Sequence, residues 1–199
     1  MRLVLLLTLL VACGGTVPNT RYYQLAIPTQ RTPGGDLTLV LEPLVTDSGY
    51  DDERIVYRTT PYRLDYYQYH RWSAAPGTLI GNYLEQALER SGRFRAVVRE
   101  ASSDAPAVLG GRVVAIEEVD LGPKQWVGRI VVELALTDPR NGVVLWSEQF
   151  EETEPLAKQS PEGLAQALST AMARIASRAA PAIATATEQA SSTAVARNR

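Results

Sequence analysis

Residues 127–150 place the tightest constraint on the fold. Within 127–137, Ile130, Val132, Leu134 and Leu136 fall on one face, with Arg129 and Glu133 opposite. Residues 143–150 return with Val144, Trp146 and Phe150 on one side. A period of two is that of a strand with one buried face. Between the two runs stands Asp138-Pro139-Arg140-Asn141-Gly142, in which Pro presets φ and Asn-Gly tolerates a left-handed backbone. The spacing predicts an antiparallel hairpin. A long apolar run over 108–119 precedes it, and its Gly110-Gly111 marks a bulge or a close backbone approach.

Shorter strands are expected over 21–27, 36–41, 55–60, 64–72 and 94–98, punctuated by Pro28, Pro43 and Pro61. Two segments carry helical spacing instead. Pro76 suits a first helical position; Leu79, Ile80, Tyr83, Leu84, Ala87 and Leu88 form one stripe, and Gly92 is the terminator. Ser160-Pro161-Glu162 opens a second helix, with Leu164, Ala167, Leu168, Ala171, Met172 and Ile175 on its apolar face and an end near Pro181. Residues 184–199, rich in Ala, Ser and Thr, read as a mobile tail. The expected fold is a single α+β domain over 21–183: a mixed, mostly antiparallel sheet with two amphipathic helices packed on it. A chain of 199 residues suits one core better than two.

The N-terminus addresses the protein. Residues 3–11 are apolar except Thr8, too short to span a bilayer but suited to a secretory signal over 1–12. The run ends Leu10-Val11-Ala12-Cys13, followed by Gly14-Gly15, and holds the chain's one cysteine. This segment resembles the bacterial lipobox. The resemblance implies cleavage before Cys13, a diacylglyceryl group on its thiol, and an N-acyl group such as palmitate on the new amine. Gly14, in place of Asp, then implies the periplasmic face of the outer membrane. Residues 13–20 form the lipidated cysteine and a tether.

Composition excludes several functions. A net charge of −2 supplies no field for nucleic acid. One Cys and one His, His70, leave no Cys-rich or multi-His metal site, so no metal or soluble cofactor is expected. Gly-x-Ser-x-Gly and glycine-rich phosphate loops are missing from the sequence, and His70 near Asp65 is better read as a packed side chain than as a base. An enzyme is not expected. The distinctive block is 57–72, where five Tyr, three Arg, one His and one Trp fall within sixteen residues. Tyr and Arg combine large contact area with polar tips, the chemistry of interface anchors; an ordinary strand with aromatic cross-strand pairs uses the same residues. The candidate partner-binding residues are Tyr57, Arg58, Tyr62, Tyr66, Tyr67, Tyr69, His70, Arg71 and Trp72. Strict alternation puts Tyr67 and Tyr69 on one face with Asp65 and Arg71.

With Tyr22-Tyr23-Gln24-Leu25, the tyrosine block running into Trp72 and Pro76-Gly77, Ser91-Gly92-Arg93-Phe94 and the 138–146 hairpin, the chain resembles the ABC-type transport auxiliary lipoproteins. These are similar to the paraquat-inducible protein C lipoproteins of Mce-type lipid transport systems. The resemblance implies an accessory protein, often a homo-oligomer, that partners an Mce-domain protein and an ABC permease and ATPase moving lipids or hydrophobic compounds between inner and outer membranes. Two competing readings stand beside it. One is an envelope assembly or structural lipoprotein partnering an outer-membrane barrel protein; the other is a lipid carrier with its own cavity.

Overall fold

The computed structural model describes residues 18–27, 29–100 and 105–197. The signal segment 1–12, Cys13 and the tether up to 17 lie outside the described residues. The described chain forms nine strands and two helices: β1 (Arg21–Tyr23), β2 (Leu37–Leu41), β3 (Val45–Thr46), β4 (Arg54–Thr60), β5 (Arg63–Trp72), α1 (Pro76–Arg90), β6 (Phe94–Val98), β7 (Val108–Gly122), β8 (Gln125–Thr137), β9 (Val144–Pro155) and α2 (Pro161–Arg197).

β7 is the spine of one mixed sheet. Along one edge it pairs antiparallel with all of β8, from Val108↔Thr137 to Gly122↔Gln125, and β8 pairs antiparallel with β9. Along its other edge β7 is shared by three short parallel partners: β2 at Val108 and Leu109, β3 at Arg112 and Val113, and β4 at Glu117, Glu118 and Val119. β6 extends the sheet beyond β2; β5 and then β1 extend it beyond β4. The three long pairings are antiparallel and the five short ones parallel, which makes the sheet mixed.

The alternation of β8 is realised. Ile130, Val132, Leu134 and Leu136 are buried, while Arg129 and Glu133 on the other face stay partly exposed. Gly128 belongs to the buried row, and a Cβ there would stand 3.2–3.3 Å from Leu164, Ala167 and Leu168 of α2. The missing side chain lets that helix lie close on the strand. A Cβ at Gly111 would strike the Glu133 carbonyl oxygen, so the expected close approach is there. The register shift lies further on, between Val113 and Ala115.

Helix α1 begins at Pro76, and Leu79, Ile80, Tyr83, Leu84 and Leu88 bury its stripe. It stops where the Ser91 hydroxyl donates to the Leu88 carbonyl at 2.6 Å and Gly92 turns to φ +73°. Helix α2 is capped by Ser160, whose hydroxyl accepts the Gly163 N–H at 3.0 Å. The expected end near Pro181 and mobile tail over 184–199 are corrected here: α2 is one helix to Arg197. Pro181 lacks the N–H that would reach back to the Ser177 carbonyl, a local loss. Against it stand Ala179, Ala180, Ile183, Ala184, Ala186, Thr187 and Ala190, all buried. Alanine is the best helix former, and Thr187 turns its hydroxyl onto the Ile183 carbonyl at 2.7 Å. A composition that reads as tail is thus a helix once the sheet offers a surface to cover.

The acidic residues 151–154 lie inside β9. Arg174 of α2 bridges Glu152 and Glu154, each at 2.7 Å, and Arg178 reaches Glu152 at 2.8 Å. Such half-exposed pairs fix the pitch of helix on strand more than they stabilise it.

Candidate functional site

The tyrosine block forms the β4–β5 hairpin, turning at Pro61-Tyr62. Its alternation is broken: the register shifts between Arg54↔Arg71 and Val56↔Tyr66, so β5 carries extra residues between those pairs. The bulge re-aims side chains. Tyr67 and His70, three apart, meet edge-to-face with centroids 5.8 Å apart, and Tyr67 packs on Tyr57 at 5.0 Å. The His70 Nδ1 and the Tyr23 hydroxyl hydrogen-bond at 2.8 Å, tying β1 to β5 by side chain as well as backbone. Burial, then the Arg21 charge, holds the His70 pKa below its ordinary value.

Several candidate residues are already engaged inside the molecule. Trp72 is fully buried, with its indole N–H unpaired, so it belongs to the core and not to a docking surface. The Tyr67 hydroxyl donates to the buried Glu118 carboxylate at 3.0 Å. Arg58 binds Glu117 at 2.9 Å and the Tyr50 hydroxyl at 2.8 Å. The Arg54 guanidinium lies 4.0 Å over the Tyr66 ring, and Arg71 donates to the Tyr67 and His70 carbonyls, each at 3.1 Å. Tyr69 is half-exposed and Tyr62, at the turn, is 95% exposed.

Beneath the hairpin lies a feature that strand patterning did not single out: Glu117 and Glu118, adjacent in β7, each 1% exposed. Consecutive strand residues point to opposite faces. Glu117 is held by Tyr50 at 2.7 Å, by Arg58, and by Arg129 at 3.0 Å, with Arg129 also on Glu151 at 2.7 Å. Glu118, towards α2, receives Tyr67 and the Gln159 side-chain amide at 3.2 Å. Burial pushes the Glu118 carboxyl above the usual carboxylate range, against the lowering effect of those hydrogen bonds. Burial and Glu117 together push the Tyr50 hydroxyl up to about 12. The signal in the sequence was a charged pair interrupting the apolar run Ile116-Glu117-Glu118-Val119. Each oxygen of both carboxylates accepts from a donor on a neighbouring strand or loop, which makes them structural hubs under the tyrosine block. Among the described residues, no group of three or more His, Cys, Asp and Glu side chains is placed to hold a metal ion.

Beyond the Pro61 turn, Arg58, Pro61, Asp120, Leu121 and Arg129 line an open groove of about 510 Å³. Leu121 is 61% exposed. The β4–β5 and β7–β8 turns therefore lie side by side at one end of the sheet.

The fold is shared with solved structures. A Xanthomonas campestris protein of the DUF330 family superposes with a TM-score of 0.75 at 19% identity, covering 86% of this chain and 99% of that one. A second crystal structure, of an uncharacterized protein, gives 0.68 at 17% identity over 83% and 99%. The PelC dodecamer from Paraburkholderia phytofirmans gives 0.46 at 20% identity over 77% and 94%, a looser likeness that bears on neither assembly nor partner. No curated protein sequence matches the chain. The family model of the ABC-type transport auxiliary lipoprotein component matches residues 23–180, which is the end of β1, all of β2–β9, α1 and α2 as far as Ala180, and the chain belongs to that family.

Proposed function

We propose that this protein is a lipoprotein anchored through Cys13 to the periplasmic face of the outer membrane, serving as a non-enzymatic accessory of an Mce/ABC-type system. The membership of residues 23–180 in the transport auxiliary family carries the reading. The segment Leu10-Val11-Ala12-Cys13 supports the address. On this reading the covalent lipid is the protein's one prosthetic group, ATP is used by an inner-membrane partner, and the lipoprotein, as a homo-oligomer, receives the outer end of an Mce conduit. Tyr69, half-exposed on the outermost long strand of the tyrosine block, is the partner contact. A single acyl chain binds a bilayer only marginally, so the full diacylglyceryl and N-acyl set is what makes the anchor stable.

The test is a crosslinked pull-down of the lipidated protein from whole envelopes, with mass spectrometry of the eluate. An Mce protein and its permease support the reading. A barrel protein in their place transfers the chain to the envelope-assembly class.

A further inference from the structure

We infer that the end of the sheet formed by the β4–β5 and β7–β8 turns is a membrane-contact surface, resting on the phospholipid headgroups with Tyr62 and Leu121 as its apolar contacts. The inference rests on the Cys13 anchor of the preceding reading, and it adds which end of the domain the anchor holds down.

Chain direction is the first observation. β1 runs parallel to β5, with Arg21 opposite His70, so the polypeptide arriving from Cys13 enters β1 from the side of the Pro61-Tyr62 turn. Arg21 stands opposite His70, seven residues up β5 from Arg63, but the bulge sets residues 66–71 against only two steps of β4, so the rise above the turn is about 15–17 Å. From Cys13 to Arg21 the chain spans at most about 29 Å when fully extended. That length is enough for the tether to span the rise to the level of the turn. A lipid on Cys13 draws that end of the domain to the bilayer.

The surface found there is the second observation. Tyr62 is 95% exposed and Leu121 61% exposed, one from each turn, and Pro61 and Leu121 line the same groove. Neither exposed side chain has a role inside the domain that explains it. Arg63 and Lys124 follow them in the same two turns, and Lys158, in the β9–α2 loop, lies at the same end of the sheet, all three exposed. Arg63 is paired with Asp65 at 2.7 Å, and Asp120 caps its own turn by accepting the Gly122 N–H at 2.9 Å. An exposed tyrosine and leucine at an end that also carries long cations match the chemistry of the headgroup layer, where amphipathic rings settle and Lys and Arg reach phosphates. The opposite end of the sheet also exposes apolar residues, among them Val144 at 56%, but the tether enters β1 from the other side. That end serves as the internal control.

The experiment uses the full-length lipoprotein reconstituted in vesicles of phosphatidylethanolamine with phosphatidylglycerol. Tyr62→Cys, Leu121→Cys and Val144→Cys each carry an environment-sensitive fluorophore, read against vesicles containing headgroup-level spin-labelled lipid. A lipidated Cys13 has no free thiol, so the wild-type chain takes up no label and floats with the vesicles. Loss of fluorescence at 62 and 121, with none at 144, is the result expected. Flotation with equal response at all three sites, or response at 144 alone, overturns the membrane-contact end and leaves the anchor standing. A wild-type chain that labels at Cys13 and fails to float overturns the anchor, and this inference with it.

Discussion

The replacement Ile183→Ala tests the least expected element of the fold, the continuation of α2 past Pro181. Ile183 is fully buried, and its neighbours along the helix are Ala179, Ala180, Ala184 and Ala186. Alanines have no side-chain freedom with which to refill a cavity. Truncation of a buried Ile to Ala costs about 2–5 kcal/mol, and surroundings that cannot refill the cavity keep this site off the low end of that range, at about 3 kcal/mol or more. For a domain of this size each kcal/mol shifts Tm by roughly 2–4 °C, so a loss on the order of 10 °C is expected. Denaturant unfolding of the full chain, followed by circular dichroism, measures it directly; the midpoint falls while the slope is retained. Thr185→Ala, on the exposed side of the same turn, is the control and stays within about 0.5 kcal/mol of wild type. If Ile183→Ala is equally silent, the residue does not pack on the sheet and the C-terminal helix is wrongly placed.

Glu118 gives a pH signature. Its folded pKa is raised, so its contribution to stability is full below the unfolded carboxylate pKa and declines as pH rises through the folded value. Stability measured between pH 4 and neutrality should fall on the alkaline side of the usual carboxylate range, and Glu118→Gln should flatten that slope; an unchanged slope refutes the assignment. Tyr67→Phe removes the hydroxyl donor to that buried carboxylate and should destabilise by about 1–3 kcal/mol in urea, whereas a residue engaged only in docking would leave the midpoint where it was. Gly128→Val forces α2 away from β8 and should cost about 1–3 kcal/mol by overpacking, read as a lowered Tm. Cys13→Ala should move the protein from the membrane pellet to the soluble fraction; persistent pelleting in high salt and carbonate would count against the anchor.

The periodicity of residues 127–150, the turn at 138–142, the proline start of α1, the capped start of α2 and the stop at Gly92 were legible in the sequence, because each is set by neighbours within a few residues. The proposal of lipidation at Cys13 rests on the sequence alone, as a local enzymatic signal. Partner choice along β7 was not legible: its one edge serves β2, β3 and β4 in turn, and two-residue β3 has no local signature. Tertiary structure also decided the fate of the tyrosine block. A bulge absent from any alternation pattern moved Tyr67 onto Glu118 and Trp72 into the core, leaving Tyr62 at the surface. It decided the C-terminal segment as well. An alanine-rich stretch carries too little apolar surface to commit to a helix by itself, and becomes one only where the sheet covers Ile183 and its alanine neighbours. Local rules fixed the elements; which edge or face each one meets is a property of the assembled core, since burial depends on residues far away in the chain.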